Sequence, residues 1–237
     1  MNKLIRMPKV TPDLFEVLND PKVEAVLTRL YKDAVKQINS VIWHLLPKAF
    51  QLFGKGIHWK TEKNVRFYDD KYIPVVPQQG TFLYMQARAL NAKNILEFGT
   101  SYGISTLYLA KAAKDNGGKV ITTEYLPHKV AAARQNFEDA GLSEYIELRE
   151  GDALETLKSI DTEIDFVLLD GWPDLVYPVF KLIEPRLKKG AVIAVDDVKE
   201  YKPSMQDYLD YVRNPENGYI STTIYPNKGT EFTVKVK

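Results

Sequence analysis

Carboxylates at recurring positions are the residues of this chain best suited to chemistry. Glu97, Glu124, Asp170 and the pair Asp196-Asp197 each stand at or just past the end of a short apolar run, and Asp152 follows another. A carboxylate can accept both hydroxyls of a ribose. Several crowded together repel unless protonated or neutralised, and oxygen-only ligands select a hard cation such as Mg²⁺ or Ca²⁺. A single acid of this kind reads as a cap or turn residue; a row of them on one edge reads as a site. Glu124 lies 25 residues beyond Gly99, near the spacing at which an acid meets a ribose. Asp152 suits an adenine amino group or, equally, a helix N-cap. Asp170, Asp196 and Asp197 are expected to converge around a cation, unless Asp197 caps the next segment.

Between the first of these acids and a helix stands Glu97-Phe-Gly-Thr-Ser-Tyr-Gly-Ile-Ser105. Asn94 to Phe98 suits a buried strand, Gly99 breaks it, and Gly103 leads into an apolar helical run from Ser105 to Ala113. A glycine lets backbone approach a ligand without an intervening Cβ, and free N–H groups at a helix start favour an anion. Ser101 lies in the same turn. Glu97 is the residue hardest to explain as filler, because a strand end buried in a parallel sheet rarely holds an unpaired carboxylate. The loop lacks one glycine of the dinucleotide fingerprint G-x-G-x-x-G and has no Gly-Lys-Ser/Thr of a phosphate loop.

The elements that must carry these residues alternate. Strands are expected at 94–98, 119–124, 145–149, 165–170 and 190–197, with helices at 105–113, 127–140, 153–160 and 176–187 between them. That alternation means right-handed crossovers and a parallel sheet, in which ligands bind beyond the carboxyl ends of the strands. The tail departs from the alternation, with a helix over 203–213 and then strands at 219–224 and 231–236. These strands flank Pro226-Asn-Lys-Gly229, a hairpin signal. Before the sheet, Asp20-Pro21 starts a helix. Its apolar residues from Val23 to Leu46 fall on one stripe, ended near Pro47. The stripe packs on the domain, or forms a dimer contact or a lid. His44 reads as a helix-face residue. Residues 54–79 read as an irregular segment in which His58, Trp59, Arg66 and Tyr68 line a substrate mouth or lie on the surface, and a further helix is expected over 81–90. The division is thus an N-terminal extension, 1–72, and a main domain, 73–237.

Composition bounds the function. The 237 residues carry 32 Lys and Arg against 31 Asp and Glu, so no gross charge favours nucleic acid or an anionic membrane. Cysteine is absent, which removes disulfides and thiolate metal sites. The start, Met-Asn-Lys-Leu-Ile-Arg, has no apolar leader, and no run reaches a membrane-spanning length. A cytoplasmic protein is expected.

Taken in order, Gln79-Gly80, Glu97 to Ser105, Thr123-Glu-Tyr-Leu-Pro127, Gly151-Asp-Ala153, Leu169-Asp-Gly-Trp172 and Val195-Asp-Asp-Val198 resemble the catechol O-methyltransferase-like, metal-dependent O-methyltransferases. These belong to the class I enzymes that use S-adenosylmethionine. The likeness spans about residues 73 to 200. It implies a Rossmann-like, seven-stranded, mostly parallel α/β sheet with helices on both faces and a C-terminal antiparallel hairpin. It also implies that Gly99 and Ser105 hold the methionine end, with Glu97, Ser101 and Gly103 also binding the cofactor, and that Glu124 holds the ribose. Asp152 and Ala153 would meet the adenine with Trp172 against its face, and Val75 and Gln79 would lie near the sulfonium. Asp170, Asp196 and Asp197 match the metal ligands, Asp197 standing where many relatives have Asn. Asp170 would serve both cofactor and catalysis.

The chain departs from that family beside the tryptophan, where Gly171 and Pro173 replace a His and the Lys that acts as base. Proline cannot take a proton, so Lys199, His58 or Asp174 must do so, or the metal alone acidifies the hydroxyl. The expected activity is O-methylation of a small hydroxylated acceptor, aromatic or otherwise, with a homodimer through the N-terminal helix as a further expectation. The rivals are an NAD-dependent oxidoreductase, against which the missing glycine and the hairpin count, and a binding module that has lost its base. A nucleic-acid or protein methyltransferase ranks below both, because the Asn/Asp-Pro-Pro-Tyr signature is absent.

Overall fold

The computed structural model describes residues 15–45, 68–224 and 229–237, excepting the side chains of 38–45. Helix α1, Pro21–Leu45, starts where the capping pattern places it. Asp20 Oδ1 accepts from Val23 N at 3.4 Å, and Asp20 N donates to Glu24 Oε1 at 3.1 Å. This reciprocal arrangement satisfies donors that a helix start leaves open. The stripe Val23, Val26, Leu27, Leu30, Tyr31 and Ala34 is buried within the chain, so this part of it is used by the domain's own core.

Helix α2, Pro77–Ala89, begins earlier than the sequence indicates. Val76 is extended (φ −67°, ψ 151°) and Pro77 occupies the first turn, where its fixed φ suits a helix and its missing N–H costs nothing. Gln79, read from the sequence as the end of an irregular segment, is therefore helical, as is Gly80.

The remaining elements follow as β1 (Asn94–Phe98), α3 (Ile104–Asn116), β2 (Lys119–Glu124), α4 (Pro127–Asp139) and β3 (Ile146–Glu150). Then come α5 (Ala153–Thr156), β4 (Ile164–Leu169), α6 (Val176–Ile183), β5 (Leu187–Val195), α7 (Lys202–Arg213), β6 (Tyr219–Ile224) and β7 (Thr230–Lys235). The seven strands form one sheet in the order β3-β2-β1-β4-β5-β7-β6. The first five are parallel, and β7 pairs antiparallel with both β5 and β6. The expected sheet and closing hairpin are thus present; residues 226–228 of its turn lie outside the described residues.

Strand period divides the core in two. Ile95, Phe166, Leu168, Val192 and Ala194 face a layer that contains α1 to α4. Leu96, Phe98, Val167, Leu169, Ile193 and Val195 face the other, with α6 and α7. Both faces of the central strands are covered, which is why they read as nearly continuous apolar runs. Phe15, Leu18 and the α1 stripe belong to the same core cluster as Leu83 and Leu107, so the described part of the extension shares the domain's core. Chain order reverses direction between β1 and β4, the switch point where open α/β sheets bind ligands.

Candidate active site

Glu97, near the end of β1, is fully buried. Register pairs it with Thr122 of β2, whose hydroxyl donates to Glu97 Oε2 at 2.6 Å, and Thr106 of α3 donates to the same oxygen. Oε1 is buried without a hydrogen-bond partner. Burial pushes the carboxyl above its ordinary range, while hydroxyls of Ser105, Thr106 and Thr122 pull it back. A buried acceptor left open is costly, so Oε1 provides a place for a donor from a ligand, such as an α-amino group.

The turn above it is held by Glu124. Oε2 of Glu124 accepts from Ser101 N at 2.7 Å, and Oε1 accepts from Tyr125 N and Leu126 N, both at 2.9 Å. Ser101 has φ +49°, a conformation uncommon for a residue with a Cβ, and the bond to Glu124 offsets that strain. A carboxylate offers about four acceptor sites, so Glu124 retains capacity for a ligand hydroxyl while bracing the loop. Gly99 has φ +105°, and a Cβ there would stand 2.6 Å from the carbonyl oxygen of Asp170. The carboxyl ends of β1 and β4 approach that closely only because the residue is glycine.

Asp170 donates its N–H to Phe98 O at 2.9 Å, and Asp196 donates to Leu169 O at 3.1 Å, which fixes both acids at neighbouring strand ends. Asp196 is buried, and its Oδ1 accepts from Gln79 Nε2 at 2.6 Å and Thr230 Oγ1 at 3.4 Å. Gln79 thus binds the rim at Asp196 and at Thr230 Oγ1, 3.1 Å away. Asp197 takes a left-handed φ of +55°, and its carbonyl accepts from Glu200 N and Tyr201 N. Oxygen donors of this kind suit a hard cation. Among the described residues, however, no group of three or more His, Cys, Asp or Glu is gathered to hold a metal ion. Asp170 and Asp196 stand at neighbouring strand ends with Asp197 next in the chain, and one oxygen of Asp196 is taken by an amide.

The other expected residues divide. Val75 is buried and its carbonyl accepts from Tyr31 OH at 2.8 Å. Gly103 N donates to Thr100 O at 2.8 Å, closing the loop, and Ser105 is buried in the first turn of α3. Asp152 is the N-cap of α5, its Oδ1 accepting from Leu154 N at 2.8 Å, the structural role equally open to it from the sequence. Ala153 is buried, whereas Trp172 is 36% exposed and starts a short 3-10 turn at Pro173–Leu175. Tyr68 is buried rather than on the surface. Lys199 is exposed. His58, Trp59, Arg66 and the side chain of His44 lie outside the described residues.

Several residues of the site were not singled out in the sequence. Thr106 and Thr122 could have been found by asking which hydroxyls flank a buried Glu97 on adjacent elements. Thr100 Oγ1 lies 2.5 Å from Thr122 Oγ1, which extends the same network. Tyr201 N donates to Asp197 O at 3.1 Å; burial first, then the nearby Glu200, Asp197, Tyr68 and Asp170, raise its phenol well above the ordinary range. No sequence signal marks Tyr201, because it reaches the rim only through the turn after Asp197.

Residues 96–198 match a family described as a methyltransferase domain. The chain is 35% identical over 130 residues to a catechol O-methyltransferase of Niastella koreensis, covering 53% of this chain and 58% of that protein. It is 37% identical over 127 residues to a catechol O-methyltransferase of Mycobacterium tuberculosis, covering 53% and 57%. The match therefore spans somewhat more than half the length of these curated relatives. Among solved structures, an O-methyltransferase from Bacillus cereus in complex with SAH aligns with a TM-score of 0.62 at 27% identity, over 69% of this chain and 83% of that one.

Proposed function

We propose, taking residues 96–198 as a class I S-adenosylmethionine-dependent methyltransferase domain of the O-methyltransferase kind, that this chain methylates an oxygen of a small hydroxylated acceptor. The observation that carries this reading is the rim around Glu97. A buried carboxylate with an unpartnered oxygen lies beneath a glycine turn that Glu124 braces from the next strand. That arrangement offers an acceptor for an amino group and, one strand away, an acceptor for sugar hydroxyls. The turn itself supplies close backbone.

S-adenosylmethionine, when bound, supplies an electrophilic methyl group on a sulfonium. The chain's own part is to hold and orient. Glu97 and the turn from Gly99 to Ser105 would receive the methionine end, and Glu124 the ribose. Ala153 and Trp172 would flank the adenine, with Val75 and Gln79 on the sulfonium side. Fixing donor and acceptor in line can account for several kcal/mol of barrier reduction, on the order of 7–11 kcal/mol in the best cases.

A divalent cation, Mg²⁺ or Ca²⁺, is part of the proposal. Asp170, Asp196 and Asp197 would hold it, and it would lower the pKa of an acceptor hydroxyl. Lys199 and Asp174 are the described candidates for receiving the proton, since Pro173 cannot.

Calorimetric titration with S-adenosylhomocysteine and, separately, NAD tests the cofactor. Binding of the first and not the second is expected, and the reverse would replace the reading with an oxidoreductase. Methyl transfer to a panel of catechols and phenols, with EDTA and then with Mg²⁺ restored, tests the reaction. Loss in EDTA and recovery with Mg²⁺ are expected; normal cofactor binding without turnover under any condition would leave a binding module.

A further inference from the structure

Helix α1 reaches the proposed cofactor pocket at three places without entering it. Tyr31 OH donates to the carbonyl of Val75 at 2.8 Å. Gln37 grips the segment before Val75 from both sides of its amide: Nε2 donates to Asp70 O at 3.2 Å, and Oε1 accepts from Tyr72 N at 3.0 Å. Arg29 donates to Asn136 Oδ1 at 3.0 Å, and Asn136 Nδ2 donates to the carbonyl of Tyr102 at 2.9 Å.

Two of these routes meet at Tyr102, in the glycine turn. Its ring stacks on Tyr72 with centroids 4.0 Å apart and planes 15° from parallel. Its hydroxyl donates to Asp70 O at 3.3 Å. Lys129 Nζ lies 5.6 Å from the centroid of the Tyr102 ring and donates to Tyr68 O at 3.3 Å. His128 Nε2 lies 2.9 Å from Asp69 O. Residues 68–72 therefore form a strap bound to α1 on one side and to Tyr102, His128 and Lys129 on the other.

We infer that α1 and the strap 68–72 are a positioning device for the glycine turn, and that the Tyr72–Tyr102 stack is the contact through which it acts. The turn contains strained backbone at Ser101, and Glu124 and the close of Gly103 on Thr100 hold it from within. A stack from outside reduces the number of conformations the turn must give up when a ligand binds, which raises affinity without a new ligand contact. Neither tyrosine is a catalytic residue in this scheme. The inference rests on the proposed S-adenosylmethionine site for its ligand, but its effect on the turn exists without one.

Two measurements on the full chain test it. Hydrogen–deuterium exchange over 98–107 in ligand-free protein reads the turn directly, and S-adenosylhomocysteine titration reads its consequence. Tyr72→Ala and Tyr102→Ala should each speed exchange there and raise the Kd roughly three- to tenfold. The double variant should be no worse than either single one, and Tyr72→Phe should restore both readouts. Gln37→Ala, which releases the strap without altering a ring, should reproduce the direction and guards against a tyrosine variant that fails to fold. Unchanged exchange and affinity in folded Tyr72→Ala and Gln37→Ala, or additive losses in the double variant, would overturn the inference. Faster exchange in a protein whose wild type binds no S-adenosylhomocysteine would support the device and sink the cofactor reading instead.

Discussion

Glu97 concentrates the cost of this site in one side chain. Burial holds its carboxyl above the ordinary glutamate range, so the folded, ligand-free protein binds that proton more tightly than the unfolded chain. Its contribution to stability is full below the ordinary value and is lost as pH rises through the raised one. Glu97→Gln removes that loss and is expected to raise the melting temperature of the ligand-free protein at pH 8. The same substitution should weaken S-adenosylhomocysteine binding by about tenfold or more, as lost charge-assisted bonds do. In the wild type, affinity should rise with pH over the window of the raised pKa, because a cationic donor at Oε1 favours the ionised carboxylate. Calorimetry in a series of buffers checks both. Glu124→Ala withdraws the acceptor of Ser101 N as well as two N–H bonds from 125 and 126; a loss of at least about tenfold in affinity is expected. An unaltered Kd would remove Glu124 from the site.

At the scale of elements, the packing of α2 on α3 decides what a helical glycine is for. Gly→Ala inside a helix ordinarily stabilises, by about 1 kcal/mol. At Gly80 a Cβ would lie 2.3 Å from Tyr108 Cε2, and Tyr108 is fully buried. Gly80→Ala should therefore destabilise by about 1–3 kcal/mol, as overpacking does, measured by urea unfolding. The start of α2 shows where sequence reading stops. Ile73-Pro-Val-Val-Pro has two prolines and reads as irregular, yet the second proline opens the helix because Val76 is already extended before it. Local pattern gives the potential of Pro77 for a first turn; the close approach of Gly80 to Tyr108 is a matter of tertiary packing. Asp152 illustrates the reverse case, since a cap and a ligand contact use the same residue type, and the structure shows the cap.

At the scale of the whole molecule, the hairpin that closes the sheet is pinned by charge. Glu231 is fully buried and accepts from Arg213 Nε at 2.8 Å and Nη2 at 2.7 Å, as well as from Ser221 and Thr223. Burial alone would raise its carboxyl, but Arg213 and the two hydroxyls hold it below the ordinary range. The resulting stability is present above the ordinary glutamate value and is lost as pH falls through the depressed one. Arg213→Ala should cost about 1–3 kcal/mol at neutral pH and flatten the acid limb of the stability profile. An acid limb of wild-type steepness in that variant would show that other groups set it.

The sequence by itself determined the order of strands and helices, the antiparallel finish and the acids at one rim. Each rests on local signals: period two, period 3.6, turn residues, and a run's end. It also carried the resemblance to O-methyltransferases, over about residues 73 to 200. Tertiary structure decided what those signals leave open. It decided that the α1 stripe through Ala34 is buried in the domain's own core, since periodicity shows a face but not what covers it. It placed Thr106 and Thr122 on Glu97 and left Oε1 open, because strand register and helix rotation, not spacing along the chain, set which atoms meet. It likewise put Gln79 on Asp196 and Tyr72 on Tyr102, contacts between residues far apart in the chain or on different elements, which no single stretch of sequence encodes.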